Sequence, residues 1–200
     1  MPKIIDHTNR RQEIVSAVWR VIERDGLQKL SLGDVAREAG FTTGVLPTYF
    51  RNKKDLLEAA FAAAVETYLH RVNIRTENSP NNVDRLFVAM DEILPRKEAP
   101  DTVAMVVMCF AVREEENGSL SDVLQEKNQR CLQYLSDCII GAVDAGEISS
   151  EINPVEAVKV IVFALDGLCY NAMALPNKWS TSARRSAIHA IIETILKIRL

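Results

Sequence analysis

Three observations predict an all-α fold for this 200-residue chain. Apolar residues recur at helical rather than alternating spacing along most of its length. Glycine, proline and capping residues divide that pattern into nine segments. No two alternating segments flank a hairpin turn, so no strand pair is expected.

The first helix is expected over Arg11–Asp25, where Ile14, Val18, Val21 and Ile22 form a stripe with Trp19 beside it, and Gly26 ends the pattern. Ser31 opens the second. Asp34, three residues on, makes a short-armed capping box, and Leu32, Val35, Ala36 and Ala39 repeat at helical spacing. Gly40 then supplies a tight turn, because a residue without a β-carbon tolerates positive φ. Thr42 or Thr43 caps a third helix that buries Val45, Leu46, Tyr49 and Phe50. Pro47 lies inside it. Proline lacks the N–H, clashes with the preceding turn and biases Leu46 away from helical angles, which predicts a kink or a very short helix. Asn52, with Asp55 three residues on, caps a long fourth helix. Leu57, Phe61, Ala64, Val65, Tyr68 and Val72 keep one face of it apolar until Asn78-Ser79-Pro80. Five more helices are expected over Val83–Leu94, Asp101–Glu116, Ser121–Ala145, Val155–Leu175 and Thr181–Ile198. Asn153-Pro154-x-Glu156 marks one start with a cap, a first-turn proline and an acid.

With 48% hydrophobic residues the chain can bury a real core in one or two domains. The net charge of −3 is unevenly placed. Through residue 55 there are ten Lys and Arg against seven Asp and Glu, or +3; the remainder has 14 against 20, or −6. A mildly basic head on an acidic body suits a protein that meets phosphate with one end, although plain asymmetry in a soluble protein gives the same count. The amino terminus is polar and lacks the apolar core of a signal peptide. The most apolar run, Val155–Leu175, carries Glu156, Lys159, Asp166 and Asn171, which argues for a helix buried in protein and against a membrane span. Cys109, Cys131, Cys138 and Cys169 form no CxxC pair and read as core thiols in a reducing cytoplasm. Cys131 and Cys138 share a helix face yet point the same way, so no disulfide within the helix is expected. His7, His70 and His189 are scattered, and neither a nucleophile–base motif nor a metal-ligand cluster appears. No catalytic residue, cofactor or metal is expected.

Ser31–Asp55 has the layout of a DNA-binding helix-turn-helix feeding a longer helix. A recognition helix enters the major groove showing small or polar side chains at its amino end. Thr42 and Thr43 offer hydroxyls to base edges or phosphate and methyls to thymine, and Gly44 lets the backbone approach. Thr48 and Tyr49 lie a turn further on, where hydroxyls reach phosphate. Asn52-Lys53 joins a helix amino terminus to an ammonium, a phosphate site in principle. Arg10 and Arg11, near a loose-looking start, are placed to meet backbone or minor groove. The bland alternative is that Gly-Phe-Thr-Thr-Gly is a turn of any helical bundle and Tyr49-Phe50 only core.

Residues 10–56 resemble the amino-terminal domain of the tetracycline-repressor (TetR) family of bacterial transcription regulators. The family's small alcohol, ala-arg-x-ala-gly core, alcohol-glycine turn, tyr-phe and asn-lys stand here as Ser31, Ala36-Arg37-Glu38-Ala39-Gly40, Thr42-Thr43-Gly44, Tyr49-Phe50 and Asn52-Lys53-Lys54. The resemblance implies a nine-helix protein. Three helices within residues 1–52 would form the DNA-binding head, to which Ser31 contributes. A body over 53–200 would bind a ligand and dimerise, with 53–75 as the connecting helix. Many members carry a phosphate-contacting tyrosine where Pro47 stands, so that contact is not expected here. Phe163-Ala164-Leu165-Asp166-Gly167-Leu168 is similar to the subgroup that includes the choline-responsive repressor of glycine-betaine synthesis.

For the body, the resemblance implies a homodimer through the last two helices. Ile188, Ile191, Ile192 and Ile195 form a stripe on the final one, and Val155–Leu175 is apolar on nearly every side, although a monomer core would use the same residues. Pocket candidates are Phe87, Met90, Met105, Met108, Cys109, Phe110, Tyr134, Phe163, Asp166 and Tyr170, for each of which plain packing is the simpler role. Asp166, amid apolar neighbours, needs a partner if buried: a cation across the dimer, a backbone cap or a cationic ligand. The expected function is a ligand-responsive regulator, a repressor by the family's habit, released from a palindromic double-stranded DNA operator by a small-molecule effector. An architectural DNA binder and an all-helical enzyme are the alternatives.

Overall fold

The computed structural model describes residues 7–96, 98–114, 121–175 and 179–199, and their side chains except those of 109–128. It is all-α. The helices are α1 (His7–Asp25), α2 (Leu32–Glu38), α3 (Lys53–Thr76), α4 (Asn82–Ile93), α5 (Pro100–Glu114), α6 (Ser121–Asp144), α7 (Pro154–Ala174) and α8 (Thr181–Leu196). Short 3₁₀ segments cover Leu27–Lys29 and Thr43–Thr48, and the second completes the nine expected helices. Among the described residues the sole β-type pairing is an isolated bridge between Arg96 and Ala99.

One of the sequence-based boundaries needs correction, and the very short third helix expected from Pro47 is present. Helix α1 begins at His7, not Arg11, so Arg10 and Arg11 lie on a helix and not in a loose start. The third expected helix is a 3₁₀ segment with Pro47 inside. Its bonds run from the Val45 N–H to the Thr42 carbonyl (3.0 Å) and from the Tyr49 N–H to the Leu46 carbonyl (2.9 Å), the i to i−3 pattern. Pro47 has no N–H to join an α-helical ladder, which is the physical reason for the shorter form.

The chain divides into two compact units. The first comprises Met1–Glu66 with Arg96–Glu126. Its core contains Ile14, Val18 and Val21 of α1, Val35 of α2, Leu46, and Leu56 of α3, all at most 1% exposed. The Trp19 indole N–H donates to the Ala60 carbonyl (2.9 Å), tying α1 to α3. Glu38 at the end of α2 accepts from Arg20 and Arg24 of α1, both at 2.7 Å. Helix α5 also packs along α1, with Ala104, Met105 and Met108 buried.

The turn after α2 follows from one residue. Gly40 has φ +76, its N–H reaches the Arg37 carbonyl (3.1 Å), and the Phe41 N–H reaches that of Ala36 (2.8 Å). These two bonds close the helix as a Schellman motif and aim the chain at the Thr43–Thr48 segment.

The second unit comprises Thr67–Pro95 with Lys127–Leu200. In it α8 packs against both α4 and α7. The Tyr68 hydroxyl donates to the Ala89 carbonyl (3.2 Å). Glu92, 3% exposed, accepts from Arg71 (2.7 Å) and pairs with Arg75. The Phe87 ring is 4.3 Å from His189 and 5.2 Å from the Arg185 guanidinium, measured to ring centroids. A second Schellman motif, at Gly146 (φ +71), ends α6 and carries Glu147 onto the start of α4. There Glu147 accepts from the Asn82 N–H (2.8 Å), the Asn82 side-chain amide (2.8 Å) and the Val83 N–H (3.0 Å). Cys131, Cys138 and Cys169 are buried thiols outside any disulfide, and burial pushes the Cys138 thiol up to about 11. That keeps it protonated and unreactive at neutral pH.

Helix α7 is long and apolar enough to cross a membrane by length and composition, and only 39% of its most apolar stretch is buried. Val155, Val160, Phe163 and Tyr170 are exposed, Phe163 by 71%. The charges read from the sequence therefore do not mark a helix enclosed within its own subunit.

Candidate nucleic-acid interface

The recognition segment is anchored from below and open above. Leu46 and Phe50 are buried, while Thr42, Thr43, Gly44, Pro47 and Thr48 are exposed. Two threonine hydroxyls and a glycine at the amino end thus project from a fixed apolar base, as groove reading requires. A β-carbon added at Gly33 of α2 would lie 3.7 Å from Ser31 Oγ and 3.9 Å from Thr43 Oγ1, so both hydroxyls border one small patch. Nothing lies within 4 Å of a β-carbon added at Gly44.

Other expected contacts have intramolecular duties. Ser31 Oγ accepts the Asp34 N–H (3.1 Å) and donates to the Asp34 carboxylate (2.5 Å). Tyr49 is half-buried, its ring 5.7 Å from that of His7. Arg10 stacks over Phe41 (5.7 Å) and Arg11 over Phe50 (4.8 Å), which fastens the start of α1 to the helix-turn-helix. The Asn52 side-chain oxygen accepts the Asp55 N–H (2.9 Å), and Lys53 Nζ donates to the Leu30 carbonyl (2.6 Å).

Two exposed cations escaped the sequence reading, Arg37 and Arg51, whose side chains are 79% and 87% exposed. Each has an acid three or four residues away, Asp34 and Asp55, and so passed for a solvated helix pair. The available signal was the position of Arg51 beside the Asn52 cap and of Arg37 in the last turn of α2.

Three carboxyls of this unit are held below the usual carboxylate range. The Ser31 hydroxyl does this for Asp34, Arg20 and then Arg24 for Glu38, and the Arg51 backbone N–H for Asp55. A folded-state pKa below the unfolded value stabilises the fold above the unfolded pKa, and that contribution is lost as pH falls through the folded value. The melting temperature should therefore be flat near neutrality and fall below about pH 4. Ser31→Ala should move the Asp34 titration, followed by carboxyl NMR, up toward the ordinary range; an unmoved Asp34 would refute the assignment.

The described pocket candidates fall in both units. Met105 and Met108 are buried in the first unit, and Phe87 and Met90 in the second. In the second unit the Tyr134 hydroxyl lies 3.3 Å from that of Thr76. Asp166 is half-buried, and Phe163 and Tyr170 are exposed. The side chains of Cys109 and Phe110 lie outside those described. Among the described residues no His, Cys, Asp and Glu cluster could hold a metal ion.

The family model for bacterial regulatory proteins of the tetR family matches residues 14–60, the span just described. HTH-type transcriptional regulator PksA of Bacillus subtilis is 25% identical over 196 residues, 98% of this chain and 94% of PksA. BetI of Proteus mirabilis is 43% identical, but over 60 residues, 30% of each chain. That match covers the amino-terminal part, so it does not extend the likeness to Phe163–Leu168. Among solved structures, a TetR-family regulator from Rhodococcus sp. superposes with TM-score 0.82 at 25% identity, covering 94% of this chain and 99% of that one. A transcriptional regulator from Saccharomonospora viridis, solved with choline, has TM-score 0.80 at 20% identity over 93% and 96%, a likeness of fold alone. With the head matched by its family model and the whole length matched by PksA and the Rhodococcus structure, the chain carries a tetR-family DNA-binding domain at residues 14–60, is similar along its length to TetR-family regulators, and is a DNA-binding transcriptional regulator.

Proposed function

We propose that this regulator is a cytoplasmic homodimer that represses from a palindromic operator and is released by a small-molecule effector. The observation that carries the DNA contact is the exposed Thr42-Thr43-Gly44 edge standing on buried Leu46 and Phe50. Residues 1–52 act as the head and 53–200 as the effector-binding and dimerising body. Two heads then meet half-sites roughly 34–36 Å apart. The choline bound by the Saccharomonospora viridis protein supports a small-molecule effector, without saying which one acts here. Helix α3 runs unbroken from Lys53 to Thr76 and suits the transmission of an effector's preference for a non-binding state to the head.

The dimer seam is placed on α7 and α8. Val160, Phe163 and Tyr170 form an exposed stripe at helical spacing with Gly167 between, where an added β-carbon would meet nothing within 4 Å. Phe163 and Tyr170 are accordingly assigned to the partner subunit and not to a pocket, and a second copy is the expected cover for the apolar face that a membrane span would also show.

Gly44→Leu tests the DNA reading. The open space around Gly44 predicts an unchanged melting temperature, and a side chain between backbone and groove predicts at least about tenfold weaker binding, or roughly 1.4 kcal/mol. Footprinting the DNA flanking the gene should show a protected palindrome. An unaltered affinity in Gly44→Leu would remove the recognition segment from the interface.

A further inference from the structure

Two cations at the head of α3 have different surroundings. The tip of Lys53 lies 2.6 Å from the Leu30 carbonyl oxygen. Leu30 is 2% exposed, closes the first 3₁₀ segment in an extended conformation and immediately precedes Ser31, the cap of α2. A carbonyl so placed costs free energy unless a donor reaches it, and an ammonium supplies a charge-assisted bond. Lys53 is exposed as a residue, yet the position of its ammonium is set by this bond.

Arg51 differs. Its backbone N–H holds Asp55 (3.0 Å), its Nε sits 3.4 Å from the same oxygen, and its side chain is 87% exposed. A guanidinium has five N–H donors in a fixed fork, so one long contact leaves most of them for a second anion. Arg11 is stacked on Phe50.

We infer that Lys53 is a positioning residue that holds the start of α2, and with it the Ser31–Thr43 patch, against α3, and that Arg51 supplies the phosphate-facing cation there. The inference rests on the DNA-binding reading and reassigns the duty the sequence gives to Asn52-Lys53. The two roles separate in the salt dependence of binding. Removing a cation that neutralises a phosphate lowers the slope of log K against log salt by about 0.9. Removing one that only positions the head shifts the line without tilting it.

The test uses full-length protein, a labelled mixed-sequence duplex of about 30 base pairs and salt from about 50 to about 200 mM. Arg51→Gln should reduce the slope by about one and leave the melting temperature and the Ser31 amide nitrogen resonance unchanged. Lys53→Met should keep the wild-type slope, displace the line to weaker binding and move the Ser31 resonance, which reports on the bond at the Leu30 carbonyl; Lys53→Arg should restore both. The inference is overturned if Arg51→Gln keeps the full slope, or if Lys53→Met loses a unit of slope with Ser31 unmoved. A flat salt profile in the wild type would instead defeat the DNA-binding reading, and this inference with it.

Discussion

Phe163→Arg is expected to turn the dimer into monomers and to abolish operator binding while leaving the subunit folded. Phe163 is 71% exposed in the isolated chain, so the subunit loses little packing when it is replaced. In a twofold dimer the same ring is covered twice. Burying an aromatic side chain stabilises by about 1.5–3 kcal/mol, so losing both copies costs about 3–6 kcal/mol, or roughly two to four powers of ten in the dimer constant. An arginine brought by each subunit into the proposed seam adds the cost of burying charge. Sedimentation at micromolar concentration should report monomers, and circular dichroism an unchanged helix content. Loss of DNA binding follows because one head alone meets one half-site. A Phe163→Arg protein that still sediments as a dimer would remove this face of α7 from the seam.

Glu147→Ala should produce the largest loss of stability among single substitutions outside the apolar core. Its carboxylate closes the start of α4, where Asn81 already receives the Asp84 N–H (2.7 Å) and Glu147 receives those of Asn82 and Val83. The first N–H groups of a helix have no partner within it. Hydrogen bonds to a charged group contribute about 1.5–3 kcal/mol each; they share one carboxylate, so a net cost of about 3 kcal/mol is expected. For a chain of this length that is a fall of about 6–12 °C in melting temperature.

A neighbouring glycine provides a cross-check. A β-carbon at Gly141 would lie 2.8 Å from Asn82 Oδ1, and Asn82 cannot swing aside while its amide is held by Glu147 (2.8 Å). Gly141→Ala should thus destabilise the wild type but cost less in the Glu147→Ala background. Strictly additive losses in calorimetry would show that Asn82 does not couple the two sites.

Much of the helix-turn-helix was readable because its determinants are local. Ser31 and Asp34, Gly40, and Asn52 and Asp55 act over three or four residues, and a cap or a positive-φ turn needs no distant partner. Pro47 belongs to this class: its missing N–H shortened the recognition segment wherever the rest of the chain lay. The roles of Lys53 and Glu147 were illegible for the opposite reason. The Lys53 ammonium meets a carbonyl 23 residues away and the Glu147 carboxylate meets amides 64 and 65 residues away. No spacing rule in one sequence joins residues so far apart.

The same division holds for the body. The sequence by itself determined the all-α class, the order of helices and the family pattern at the head, since periodicity and capping are properties of short windows. It also marked Val155–Leu175 as apolar on nearly all sides. Which of those side chains are buried within the chain and which stay open depends on which flank of α7 its neighbours cover. Only the tertiary structure decided that, by burying Ile161, Leu165 and Leu168 while leaving Val160, Phe163 and Tyr170 open. A helix face is defined by one chain's own periodicity, but its burial is defined by what packs against it.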